Sequence, residues 1–299
     1  MYSAFIMALG YALFPVWFFQ GIEEMKLITI LTSMAKTLFS IFIFLFIKNV
    51  NQYIYVHFFE SIGFVFAGII SLFLCYKKYN ISYNVPKFKE IFFQLKRGWA
   101  QFWITVLPAV YSKANPIIIK FIKNNNEAVG VYSTAEKTLT AARMIFNPAS
   151  RVLLPYTSRK VANKRLDYSL KRIYKLITLS IIFTIPISII FFIFANQLQI
   201  ILVGYINDDL TTILRIVSPL VTIGGINIFD GIIGLTSTGR ERVFLKGILL
   251  SGITSLLLSF VLTYKLSAMG ATISLLTSEA FLMIYLLLYL NKLKNEQDK

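Results

Sequence analysis

From residue 28 to residue 47 the chain reads ITILTSMAKTLFSIFIFLFI, and Lys36 is the one charged side chain in those twenty residues. A helix of that length rises about 30 Å, the thickness of the hydrocarbon layer of a bilayer. Such runs recur. Read between charged or turn-rich breaks, nine candidate spans lie at about residues 1–20, 28–47, 54–76, 99–122, 129–155, 176–195, 211–235, 244–264 and 269–290. Composition agrees: 57% of the 299 residues are hydrophobic and 15% are charged, against about 25% charged in a soluble domain. The expected fold class is an all-α integral membrane protein with about nine transmembrane helices.

The formal net charge of +16 would suggest nucleic acid in a soluble chain. Here the basic residues sort by side. Twenty Lys and Arg fall in the connections 21–26, 77–97, 159–175, 240–246 and the tail 291–299, and three in the alternate connections 48–53, 123–128, 196–210 and 265–268. That split obeys the positive-inside rule and orients the chain with its amino terminus outside and its carboxyl terminus in the cytoplasm. The charge is a topology device, so no nucleic-acid partner is expected. Trp17, Trp99 and Trp103 all fall at predicted cytoplasmic ends of spans, where an amphipathic ring prefers the headgroup level. The first span lacks the basic start and small-residue cleavage site of a secretory signal.

Between the third and fourth spans, VPKFKEIFFQLKRG places Phe88, Ile91, Phe92 and Leu95 at helical spacing, with Lys87, Lys89, Lys96 and Arg97 largely opposite. This pattern predicts an interfacial helix on the inner leaflet. It divides the chain into a three-span bundle over 1–76, a basic linker over 77–98 and a six-span bundle with its tail over 99–299.

A faint internal repeat relates PVWFFQGIEEMKLITILTSMAKTLF, from Pro15, to IIGLTSTGRERVFLKGILLSGITS, from Ile232. Each closes one span with a small-residue turn, sets charges beside it and opens another span. Six spans separate the two copies, so both have the same orientation, as in the parallel repeats of many transporters. Gly21 is the residue expected to permit the tight exit at the first corner.

Pro15, Trp17, Phe19, Gln20, Gly21, Glu23, Met25 and Lys26 resemble the signature of bacterial O-antigen flippases. These are polysaccharide transporters of the multidrug/oligosaccharidyl-lipid/polysaccharide exporter superfamily. The stretch from Glu127 through Gly130 and Tyr132 to Lys137, followed by Pro148 and Pro155, is similar to a second block of that family, and Gly239 to Arg242 to a third. The resemblance covers essentially the whole chain. It implies a two-lobed fold of about twelve helices, of which this chain would supply the last nine, with Met1 near the start of the family's fourth span. A shortened or partial gene product is therefore expected. The implied activity is flipping of lipid-linked oligosaccharide, of the undecaprenyl-pyrophosphate type, across the bacterial inner membrane for O-antigen or other surface polysaccharide. The implied partners, beyond substrate and membrane lipid, are a polysaccharide polymerase and a chain-length regulator. No cofactor or metal is implied.

Charged residues within spans mark the chemistry, because each costs about 2.5–3.5 kcal/mol at mid-bilayer unless it faces protein or water. Lys113 and Lys120 stand seven apart on one helical face, with Pro116 between them, and Glu136 and Arg143 are also seven apart. With Lys137, Arg215 and Lys36, these bases are the candidates for a cationic cavity between lobes that attracts pyrophosphate and acidic sugars. Phosphate suits Arg and Lys through charge and forked hydrogen bonds. Against this, Glu136, Lys137 and Arg143 could pair among themselves or with neighbouring helices, and Lys36 and Lys120 could snorkel to an interface. Asp230 and Glu279 are candidates for binding a coupling proton or sodium ion, with pairing of Asp230 to Arg215 or a neighbouring base as the structural alternative. Seven of the eight prolines fall in predicted spans, where they favour kinked helices around a site.

Enzyme chemistry is not legible. The single histidine, His57, and single cysteine, Cys75, form no metal-ligand or nucleophile constellation. A membrane polysaccharide polymerase would need a larger outside loop than the longest one expected, about 15 residues. A multidrug or organic-cation exporter of the same superfamily would need acidic walls where this chain is mostly basic. A nonfunctional remnant is the remaining alternative.

Overall fold

A computed structural model describes residues 2–49, 52, 55–80, 84–163 and 166–297, leaving aside the side chains of residues 2–4, 147, 160, 162–163, 166–172 and 297. It consists of helices joined by short turns, and no strand occurs among the described residues. Six helical stretches are long and apolar enough to cross a membrane: Met25–Phe46, Val56–Tyr79, Phe88–Lys123, Ile173–Ile193, Asp208–Thr236 and Glu241–Glu296. The chain divides into two compact units, Met1–Phe88 and Lys89–Lys299.

The first unit holds α1 (Tyr2–Leu13), α2 (Val16–Gly21), α3 (Met25–Phe46) and α4 (Val56–Tyr79). The first expected span is thus two helices. Pro15, which has no N–H to donate, stands at the break. On α3, Ile28, Leu31 and Ala35 form a buried stripe, and Lys36 lies exposed beside it. The helices touch closely where Gly63 of α4 meets the Ala35 carbonyl, which any Cβ would approach to 2.6 Å.

The corner after α2 has a defined geometry that the sequence reading misplaced. Glu24 N–H donates to the Phe19 carbonyl at 2.9 Å and Glu23 N–H to the Gln20 carbonyl at 3.1 Å, a Schellman closure. The left-handed residue is Glu23, with φ +61°, and not Gly21, which sits in the last turn of α2. The second copy of the repeat closes identically. Arg240 N–H donates to the Leu235 carbonyl at 2.9 Å and Gly239 N–H to Thr236 at 3.1 Å, with Gly239 at φ +72°. Phe19 and Leu235, which supply the accepting carbonyls, are both fully buried. The repeat is one turn motif used twice.

The second unit holds α5 (Phe88–Lys123), α6 (Asn126–Arg143), α7 (Phe146–Asn163), α8 (Leu166–Ile193), α9 (Ala195–Val203), α10 (Asp208–Val217), α11 (Pro219–Asn227) and α12 (Glu241–Gln297). The basic segment expected to lie separately along the membrane is the first part of α5, which runs unbroken for 36 residues. The expected span 129–155 is broken between α6 and α7. Pro148 cannot donate to the carbonyl of Met144, and its ring crowds that carbonyl, so the helix stops there. The expected span 211–235 is α10, α11 and a π-helical stretch, Ile228–Thr236, in series. The last two expected spans are the halves of α12, which meet at Ser267, where φ +54° and ψ −132° are not helical. The expected basic connection 159–175 is mostly helical; its residues 164 and 165 lie outside the described ones, as does Met1.

Packing in this unit relies on small polar residues as well as aliphatic ones. Ser251, Ser255, Ser259 and Thr263 recur every four residues along one fully buried face of α12. Ser251 donates to the Ser278 carbonyl across the kink at 2.8 Å. Ser259 donates to Asn115 of α5 at 2.9 Å, and Asn115 in turn donates to the Tyr132 hydroxyl of α6 at 2.7 Å. Tyr132, read as part of a family motif, is therefore one end of a buried chain joining three helices.

Candidate functional site

Arg143 is the last residue of α6, where the carbonyls of the final turn favour a cation. Its side chain crosses to α11. Nε and Nη2 donate to the Leu220 carbonyl at 3.2 and 2.8 Å. Gly224, one turn further along α11, leaves the space the guanidinium needs: a Cβ there would lie 2.6 Å from Cζ and 2.7 Å from Nη2. Nη1 reaches Oε1 of Glu279 on α12 at 3.4 Å. The other carboxylate oxygen of Glu279 accepts from Nδ2 of Asn227 at 2.8 Å, and the same amide donates to the Glu279 backbone carbonyl at 3.2 Å.

A cavity of about 180 Å³ opens against this cluster, bounded by Arg143, Glu279, Asn227, Gly224 and Tyr111 with apolar walls beyond. Guanidinium carries five N–H donors, and three are used by these partners. The site can therefore offer a guanidinium edge to a bound anion. Within the second unit Arg143 and Glu279 are thus brought together, although they stand 136 residues apart in sequence.

The other candidates are distributed. Lys113 pairs with Glu136 at 2.8 Å, and Ser112 donates to the same oxygen at 2.7 Å. Glu136 is buried and Lys113 is 68% exposed. Glu136 therefore pairs with Lys113 across α5 and α6, and not with Arg143 as its spacing allowed. Lys120 donates to Asn126 at 2.8 Å. Lys137 and Arg215 are exposed, and Arg215 lies over the Phe192 ring at 5.9 Å. Asp230, fully buried in the π-helical stretch, has no hydrogen-bond partner for either oxygen among the described residues, so the alternative of pairing with Arg215 is not realised. It does not line the cavity beside Arg143. Gly130 is exposed. His57 lies 3.6 Å from Glu60 on the surface of α4, and no group of three metal-ligating side chains occurs among the described residues. Sequence reasoning missed Leu220, Gly224 and Asn227. The available signal was the run GGIN before Asp230, paired glycines and an amide inside an apolar span.

A sequence model described as "Polysaccharide biosynthesis protein" matches residues 1–161. The "Putative O-antigen transporter" of Shigella dysenteriae is 28% identical over 279 residues, 93% of this chain and 69% of the relative. The protein of the same name from Escherichia coli strain K12 is 27% identical over 292 residues, 97% of this chain and 70% of its own. Among solved structures, a mutant of the Vibrio cholerae MATE transporter VcmN is 16% identical with a TM-score of 0.77, covering 98% of this chain and 68% of that one. An outward-facing multidrug resistance MATE transporter of the MOP superfamily is 12% identical with a TM-score of 0.73, covering 91% and 62%. The chain thus spans about two thirds of the length of these proteins, and the two structures share its fold.

Proposed function

The chain belongs to the polysaccharide biosynthesis protein family, and from that premise we propose that it is a flippase for lipid-linked oligosaccharide repeat units. The substrate is of the undecaprenyl-pyrophosphate type, and the product feeds O-antigen or another surface polysaccharide. What supports this reading most is Arg143, a guanidinium anchored on α11 beside a cavity and with N–H donors to spare. A pyrophosphate is the anion such a fork recognises. Lys113, Lys120, Lys137 and Arg215 supply further positive charge in the second unit and Lys36 in the first, and the lipid tail stays in the bilayer.

The protein is a multi-pass membrane transporter of the bacterial inner membrane, with its amino terminus outside and carboxyl terminus inside. A polymerase and a chain-length regulator are its pathway neighbours. Asp230 is the stronger coupling candidate of the two acids, because its carboxyl is fully buried and neither oxygen has a hydrogen-bond partner among the described residues. The multidrug-exporter alternative has the fold in its favour, since both solved relatives are MATE transporters. It needs an acidic lining, and Glu279, the one acid lining the Arg143 cavity, already faces a base.

Expression in a strain lacking its O-antigen flippase tests the proposal. Surface polysaccharide is restored by the wild-type chain and much reduced with Arg143→Ala at equal membrane level. Equal export by the variant removes Arg143 from the mechanism.

A further inference from the structure

Arg143 has firm partners and a soft one. Its two bonds to the Leu220 carbonyl are 2.8 and 3.2 Å, whereas its contact with Glu279 is 3.4 Å, long for a charge-assisted bond. Glu279 does not depend on that contact for its place, because Asn227 holds both its side chain and its backbone carbonyl. The weak joint of the cluster is the one facing the cavity, whose volume of about 180 Å³ is several times the roughly 30 Å³ that one water occupies. We propose that Glu279 is a built-in stand-in for the substrate's phosphate, which the lipid diphosphate displaces from Arg143. This rests on the reading of Arg143 as the phosphate contact.

The physical logic is an exchange of anions. An empty site holding only a guanidinium would leave a half-buried charge uncompensated, which is costly, and Glu279 prevents that. When a phosphate takes the Nη1 and Nη2 edge, it supplies the negative charge that Glu279 supplied, and the carboxylate gives up the longer of its two contacts while keeping the bond from Asn227. The titratable groups facing Glu279 are the Arg143 guanidinium from α6 and the Tyr111 hydroxyl from α5. The α11 segment Pro219–Asn227 carries no titratable side chain, Asp230 does not line the cavity, and Arg215 of α10 is turned to the Phe192 ring. Among the described residues no other base lines the cavity to take the place of Arg143 as partner of the freed carboxylate, so displacing Glu279 costs binding energy that a neutral side chain at that position would not.

The test uses the purified full chain in nanodiscs with farnesyl diphosphate as the probe, by calorimetry. Glu279→Gln binds about tenfold more tightly than wild type, because no carboxylate then has to leave Arg143. A folded Glu279→Gln protein that binds no more tightly overturns the inference. If Glu279→Gln does not fold, Glu279→Asp decides in its place: its shorter carboxylate stands further from Arg143, so the same gain is expected, and no gain overturns the inference. Should wild type bind through Arg143, judged by loss with Arg143→Gln, while Glu279→Gln gains nothing, only this inference fails. Should Arg143→Gln bind as wild type does, the phosphate reading of the site fails with it.

Discussion

Gly224 faces the guanidinium of Arg143 so closely that any Cβ on it would lie 2.6 Å from Cζ and 2.7 Å from Nη2. Alanine normally stabilises a helical glycine site by about 0.5–1 kcal/mol. Here Gly224→Ala must instead shift the guanidinium off the Leu220 carbonyl, at an expected cost of about 1.5–3 kcal/mol for the charged hydrogen bonds lost. Thermal unfolding in detergent should fall for Gly224→Ala and stay level or rise for Gly98→Ala, whose added Cβ meets nothing within 4 Å. Binding of a lipid diphosphate should be lost with the first and kept with the second.

The buried chain from Ser259 through Asn115 to Tyr132 separates a structural motif residue from a functional one. Tyr132→Phe leaves the Asn115 amide without an acceptor in a dry place, at a cost of about 1–3 kcal/mol. Melting temperature should drop while diphosphate affinity of the folded fraction is unchanged. A lost affinity at unchanged stability would place Tyr132 in the binding site instead.

Lys113 and Glu136 pair as Arg143 and Glu279 do, with the acid buried, but here the base is far more exposed. Lys113→Gln takes the charged partner from a buried carboxylate and leaves it the Ser112 hydroxyl, so thermal stability should fall by about 1–3 kcal/mol. Transport should also slow, and return with Lys113→Arg. Unchanged export by Lys113→Gln would make it a structural partner of Glu136 only.

The two Schellman corners give a matched pair of substitutions. Gly239 at φ +72° has open space around it, so Gly239→Ala should cost about 1–2 kcal/mol through backbone strain alone. Gly21 has equally open space and a helical backbone, so Gly21→Ala should be neutral or stabilising. Chemical denaturation of both variants checks this, and a destabilising Gly21→Ala would return that residue to the role the sequence suggested.

That contrast shows where the sequence was readable. The apolar runs were, because lipid admits long continuous stretches and charge orders the connections between them. Breaks inside a run were less so: Pro148 and Pro15 stop helices that hydropathy alone would carry through. At the first corner glycine drew attention, yet the strained position went to Glu23, which no composition rule favours. Arg143 was visible as a base inside a predicted span. Its partners were not, since a backbone carbonyl at Leu220 has no sequence signature and Glu279 lies on a helix far along the chain. Gly224 became legible only once the guanidinium stood against it.

Translocation in proteoliposomes is the most direct measurement. A labelled undecaprenyl-diphosphate oligosaccharide placed in one leaflet should cross faster in vesicles holding this chain than in empty ones. Arg143→Gln should slow the crossing by at least about tenfold, and Arg143→Lys should restore part of it, because charge survives while the forked hydrogen bonds do not. If Arg143→Gln at equal reconstitution moves the substrate as fast as wild type, then the guanidinium beside Gly224 does not receive the phosphate.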